Sequence, residues 1–118
     1  VSSVPAFLQH AAVEALATSV TPMRASYQAR RDLTVEALAR MGLPTVTPQG
    51  AFYAFPSIEG LGLASEEFCE RAIREAGVAL VPGSCFGGEG HVRLSYATDE
   101  KTLATGLERL AGFVGALR

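Results

Sequence analysis

Arg93 is the side chain whose position most calls for chemistry. It lies in the run "GHVRLSYATDEKTL", Gly90 to Leu103, where Val92, Leu94 and Tyr96 alternate as one apolar face of a strand. His91, Arg93, Ser95 and Ala97 fall on the other face. A guanidinium in the middle of a short strand is costly to bury unless an anion meets it. Two kinds of anion fit. One is a carboxylate of the chain itself, Glu59 or Glu89, in a structural salt bridge. The other is the carboxylate of a substrate, which the guanidinium fork can grip with two parallel hydrogen bonds.

Other chemistry-bearing residues give weaker signals. His10 and His91 are the two histidines, and neither has a second ligand at metal-binding spacing, so no metal site is expected. Ser84 and Cys85 lack a neighbouring base in sequence, which argues against an activated nucleophile. The carboxylates scatter over helix surfaces and suggest no acid–base pair. The glycines of "PGSCFGGEG" match neither a P-loop nor GxGxxG between a strand and a helix. That segment reads as a flexible hairpin loop, with a loop lining a ligand pocket as the functional alternative. Nine of the ten basic residues are arginine, leaving Lys101 as the one side-chain amine. It falls in the first turn of a helix, on a position suited to solvent, which is a poor place for a reactive amine.

The elements that must position Arg93 follow from periodicity. A helix is expected from about Pro5, with Phe7, Leu8, Ala11, Ala12, Ala15 and Leu16 as its apolar stripe. Thr21-Pro22 starts a second helix of roughly 20 residues, stopped by Gly42 and Pro44. Its arginines, Arg24, Arg30, Arg31 and Arg40, read as a solvated face. "GAFYAFP", Gly50 to Pro56, reads as a strand apolar on both faces, covered on both sides or resting on another domain. Ser65, Glu66 and Glu67 open a third helix with Phe68, Cys69, Ala72, Ile73 and Ala76 buried and Gly77 at its end. "VALV", Val78 to Val81, is a second strand, and the Arg93 run the third. Thr98 or Asp99 caps a last helix whose seam is Leu103, Leu107, Leu110, Val114 and Leu117.

The order β-α-β-β-α after two N-terminal helices predicts an α+β fold of two layers. The expected sheet is three-stranded and mixed, a split β-α-β unit of order 1-3-2, with helices on one face. Arg93 then stands on the central strand, on the uncovered face, with only Ser95 and Ala97 beside it. The chain of 118 residues, 48% hydrophobic, is long enough for one real core. A net charge of −2 gives no pull toward nucleic acid or anionic membrane, and no apolar run approaches the roughly 18–20 residues that span a bilayer. No signal peptide is visible, and Cys69 and Cys85 read as free thiols of a reducing compartment. A cytoplasmic protein is expected.

Three segments in register, "PQGAFYAFP", "REAGVALVPGSCFG" and "GHVRLSYATDEKTLATGLERL", resemble the C-terminal part of fold-type I, pyridoxal 5'-phosphate (PLP)-dependent aminotransferases of class I/II, in the aspartate aminotransferase-like branch. The opening "SSVPAFLQHAAVEAL" resembles the segment that follows the active-site lysine in those enzymes. The resemblance implies an interdomain helical segment, 1–30, and a small C-terminal domain, 31–118. It implies that Arg93 binds the substrate α-carboxylate of an amino acid or 2-oxo acid. It also implies that Gly83, Ser84 and Phe86 line the pocket near its entrance. The family's Schiff-base lysine and cofactor contacts belong to a large domain that would precede Val1, so no catalytic or PLP-binding residue is expected in this chain. Lys101 has no family motif around it. The full-length protein is expected to be a homodimeric transaminase, and the isolated 118-residue chain inactive. An alternative is a stand-alone regulatory module that binds an amino acid through the same arginine. RNA binding through the aromatic strand is a third reading, opposed by the acidic balance and the absence of lysines near that strand.

Overall fold

The structure, a computed structural model, describes residues 3–118. Val1 and Ser2, placed by the sequence reading in the interdomain segment, lie outside the described residues. The elements run α1 (Ala6–Ala17), α2 (Thr21–Arg40), β1 (Tyr53–Ala54), α3 (Ser65–Arg71), β2 (Val81–Pro82), β3 (Val92–Ser95) and α4 (Glu100–Ala116). The sheet order is β1-β3-β2, which makes the Arg93 strand central as expected. Both ladders are antiparallel, with Tyr53 opposite Ser95 and Val81 opposite Arg93. β1 and β2 therefore run parallel to each other without touching, so among the described residues the sheet expected to be mixed has antiparallel ladders only.

The strands are shorter than their sequence runs, for reasons visible in the backbone. The Val78 N–H is committed to the Ala72 carbonyl at the end of α3 (3.1 Å), so the strand expected over Val78–Val81 starts only at Val81. Pro56 has no N–H to give the ladder. Its carbonyl still accepts from Val92 (3.1 Å), and Ser57 forms a separate bridge to His91, so the "GAFYAFP" run follows β3 beyond the two residues of β1.

The core lies between the sheet and the helices α2, α3 and α4. Leu38, Ile58, Phe68, Val92, Leu110 and Val114 are sealed from solvent, and each such side chain contributes about 1.5–3 kcal/mol through burial. Phe68 of α3 meets Phe113 of α4 edge to face at 5.2 Å between ring centres. The Asp99 carboxylate caps α4 by accepting from the Thr102 N–H (2.9 Å). α3 ends in a π-helical turn, Ala72–Ala76, and Gly77 then takes φ +66°, a conformation that costs glycine little. The wider turn rotates the surface, and Ile73, expected in the buried stripe, is exposed.

α1 lies outside this core. None of its residues is buried, and Phe7, Leu8 and Leu16 of its apolar stripe face solvent. The radius of gyration, 17.7 Å, exceeds the roughly 13–14 Å of a compact domain this long, because α1 projects from the body. Two arginines of α2 are also more than a solvated face. Arg30 donates to the Thr98 carbonyl and lies 4.2 Å over the Tyr27 ring, tying α2 to the start of α4. Arg31 pairs with Asp32 (2.7 Å) and reaches the Pro48 carbonyl at 3.5 Å.

Candidate functional site

Alternation along β3 decides which side chains share a face. Val92, Leu94 and Tyr96 are buried beneath the helices, and Arg93 stands half-buried on the opposite, open face. On that face the register leaves Tyr53 beside Ser95, diagonal to Arg93, and carries Phe55 across from Arg93 toward the Ser57–His91 bridge. Diagonal neighbours in a sheet lie within reach of an aromatic ring and a long side chain. The Arg93 Cζ accordingly lies 4.4 Å over the Tyr53 ring. A second ring comes from the other edge. Phe86, in the turn after β2, lies 4.5 Å from the same Cζ.

Among the described residues the Arg93 side chain makes no ion pair and no hydrogen bond. The acid near it in sequence, Glu89, is held elsewhere. Its carboxylate accepts from the Ser65 N–H (2.7 Å) and the Ser65 hydroxyl (3.0 Å) at the start of α3. Those hydrogen bonds hold the Glu89 carboxyl below the usual carboxylate range. Ser65 opens α3 as its first helical residue, and Glu89 satisfies the helix end from outside. The open face thus carries a guanidinium flanked by aromatic rings, its N–H edge unmatched by any carboxylate of the described chain.

The loop residues divide. Phe86 reaches Arg93. Gly83 is buried against backbone instead: a Cβ there would lie 2.1 Å from the Gly88 carbonyl oxygen and 2.4 Å from that of His91. The Ser84 N–H donates to the Ser65 hydroxyl (3.3 Å) and its own hydroxyl donates to Glu66 (3.4 Å), so it joins the loop to α3. His91 stacks on Phe55 at 5.2 Å between ring centres, and Phe55 in turn meets Phe86 edge to face at 6.2 Å. Sequence reading noticed the aromatic strand but missed Tyr53 as a neighbour of Arg93. The signal was present in the pairing register, which the sequence alone does not supply.

Lys101 is exposed in the first turn of α4, in the helix layer, and Arg93 faces out from the other side of the sheet. Burial pushes the Cys69 thiol up to about 11, with nearby Cys85 adding to the shift, so Cys69 stays protonated at neutral pH. No group of three or more metal-ligating side chains occurs among the described residues.

Comparison with known proteins gives the site a context. The family described as aminotransferase class I and II matches residues 1–110. The chain is 50% identical over 111 residues to aromatic-amino-acid aminotransferase 2 of Thermococcus litoralis, a match covering 88% of this chain and 28% of that protein. It is also 50% identical, with the same coverage, to the aspartate aminotransferase of Pyrococcus abyssi. Among solved structures, the aromatic aminotransferase of Pyrococcus horikoshii superposes with a TM-score of 0.88 at 47% identity, over 93% of this chain and 31% of that one. The aspartate aminotransferase of Thermotoga maritima does so with a TM-score of 0.88 at 38% identity, over 97% and 30%. The chain thus spans about three-tenths of the length of the relatives it matches.

Proposed function

The chain belongs to the class I and II aminotransferase family, and from that premise we propose that it is the carboxylate-binding C-terminal part of a longer PLP-dependent transaminase, which moves an amino group between an amino acid and a 2-oxo acid. One observation carries the reading. Arg93 presents a guanidinium on the open sheet face, flanked by Tyr53 and Phe86, while Glu89 is held by Ser65. A carboxylate arriving from outside completes the bidentate pair that this fork favours. Fixing that carboxylate orients the reacting carbon, a positioning role.

PLP would supply the electron sink for amino transfer. The residues of this chain do not fit it: the one lysine is exposed in the helix layer, away from Arg93. We assign the cofactor to the large domain of the full-length protein, together with the catalytic lysine. The exposed apolar stripe of α1, with Phe7, Leu8 and Leu16, supports a covering domain of that kind. The division into an interdomain segment, 1–30, and a small domain, 31–118, is supported by burial, which in α2 begins in full only at Thr34. The reading includes a homodimer in the full-length form and a cytoplasmic location. No helix among the described residues is long and apolar enough to cross a membrane. Gly83 and Ser84 enter as supports of the loop that brings Phe86 to the pocket.

The test is Arg93→Lys in the full-length protein. A lysine keeps the charge and loses the fork. KM for both amino acid and 2-oxo acid should rise and turnover fall, with PLP still bound by its absorbance. Kinetics equal to the parent's for both substrates would refute the assignment.

A further inference from the structure

A guanidinium on a flexible stem binds a planar carboxylate well only if its plane is held before the ligand arrives. We propose that Tyr53 and Phe86 are positioning residues that set the plane of Arg93 and confine it to presenting its N–H edge. This deepens the carboxylate reading of Arg93 and rests on it.

The two rings reach Arg93 from opposite sides of its strand. Tyr53 comes from β1 and Phe86 from the turn after β2, and β1 and β2 flank β3. They do not stack on each other. The ring neighbour of Tyr53 is Phe52 (4.6 Å), and that of Phe86 is Phe55 (6.2 Å). Both are about as exposed as a surface residue, 36% for Tyr53 and 51% for Phe86, so the core does not require them. Their carriers are nonetheless built firmly. The Gly83–Phe86 turn is tied by Gly83 N–H to His91 O and Gly88 N–H to Gly83 O, both 2.9 Å, and by Ser84 N–H to the Ser65 hydroxyl. Exposed rings on a paired strand and a tied turn, each with its face toward one cation, gain cation–π attraction there and limit the rotamers open to Arg93. Attraction to a ring face leaves the in-plane N–H groups available, so the carboxylate and the rings do not compete.

The experiment uses the full-length, PLP-loaded protein and two non-reacting probes of one shape, 3-phenylpropionate and 3-phenylpropionamide, titrated calorimetrically. The parent should prefer the acid. Tyr53→Leu and Phe86→Leu should each weaken acid binding about fivefold more than amide binding, equal to about 1 kcal/mol, and leave the melting midpoint unchanged. Tyr53→Phe and Phe86→Tyr should restore acid binding. Arg93→Ala should abolish the preference for the acid. If Arg93→Ala abolishes it and the two leucine variants bind acid like the parent, the positioning role falls and the carboxylate reading stands. If the leucine variants lose acid and amide alike, the rings merely shape the pocket and the positioning role falls again. A parent that does not prefer the acid, or an Arg93→Ala variant that still does, overturns the carboxylate reading itself.

Discussion

Gly83→Ala should be among the most damaging single-methyl changes in this chain. The added Cβ would stand 2.1 Å from Gly88 O, 2.4 Å from His91 O and 2.9 Å from His91 C, and ordinary contact begins near 3.4 Å. All three are backbone atoms, so no side chain can swing aside. The turn must move by roughly 1 Å, an overpacking strain of about 1–3 kcal/mol. The same movement strains two hydrogen bonds, Gly83 N–H to His91 O and Gly88 N–H to Gly83 O, each worth about 1 kcal/mol net. The expected loss is about 3–5 kcal/mol, a large part of the 5–15 kcal/mol that holds a typical domain. Urea unfolding of the chain followed by far-ultraviolet circular dichroism reads it as a lower midpoint at constant slope. Gly87→Ala provides the comparison. Its Cβ meets nothing within 4 Å, so only its φ of +70° is penalised, by about 1–2 kcal/mol. A Gly83→Ala chain no less stable than Gly87→Ala would show that the turn yields freely and that the close-approach argument is wrong.

Two further changes probe α4. Gly112 is an exposed helix-interior glycine whose Cβ would meet nothing within 4 Å, so Gly112→Ala should raise stability by about 0.5–1 kcal/mol in the same urea assay. Asp99→Ala removes the cap and should lower the melting midpoint at neutral pH. The effect has a definite pH sign. Hydrogen bonds from Thr102 depress the Asp99 carboxyl in the folded chain below its value of 3.8. The stabilisation is therefore complete above the unfolded-chain pKa and lost as pH falls through the folded one. Melting midpoints of parent and Asp99→Ala should converge below about pH 4, and a gap that stays constant down to pH 2 would remove the cap from the explanation.

What could be read from the sequence depended on how local the cause was. Val92, Leu94 and Tyr96 announce their strand because burial beneath helices enforces a period of two, and the order 1-3-2 follows from a short connection beside a helical crossover. Asp99 could be read as a cap because its partner lies three residues away. Glu89 could not. It satisfies the end of α3 from 24 residues downstream, and nothing in the local pattern separates it from a solvated acid or an Arg93 partner. The approach of Tyr53 to Arg93 was hidden likewise, since it depends on register. α1 was legible as a helix with an apolar stripe, and the structure leaves that stripe exposed. An apolar stripe predicts burial, and the surface that buries it need not belong to the same segment.

The exposure of the Arg93 face bears on affinity as well as on architecture. A surface ion pair in water is worth about 0–1 kcal/mol, because solvent screens it and both side chains must be ordered. Flanking rings reduce the ordering cost and remove part of the solvent. They leave the N–H edge, where the proposed carboxylate would dock, free of ring contact. The same pair under a covering surface is attracted more strongly, since the effective dielectric constant falls toward about 20. A half-site of this kind should therefore hold free amino acids only feebly, and its affinity should appear when the rest of the protein closes over Tyr53, Phe55 and Phe86. On the proposed reading the bare aromatic face and the arginine without an ion pair are one feature: the rings would keep Arg93 in place, and a covering domain would make its charge effective.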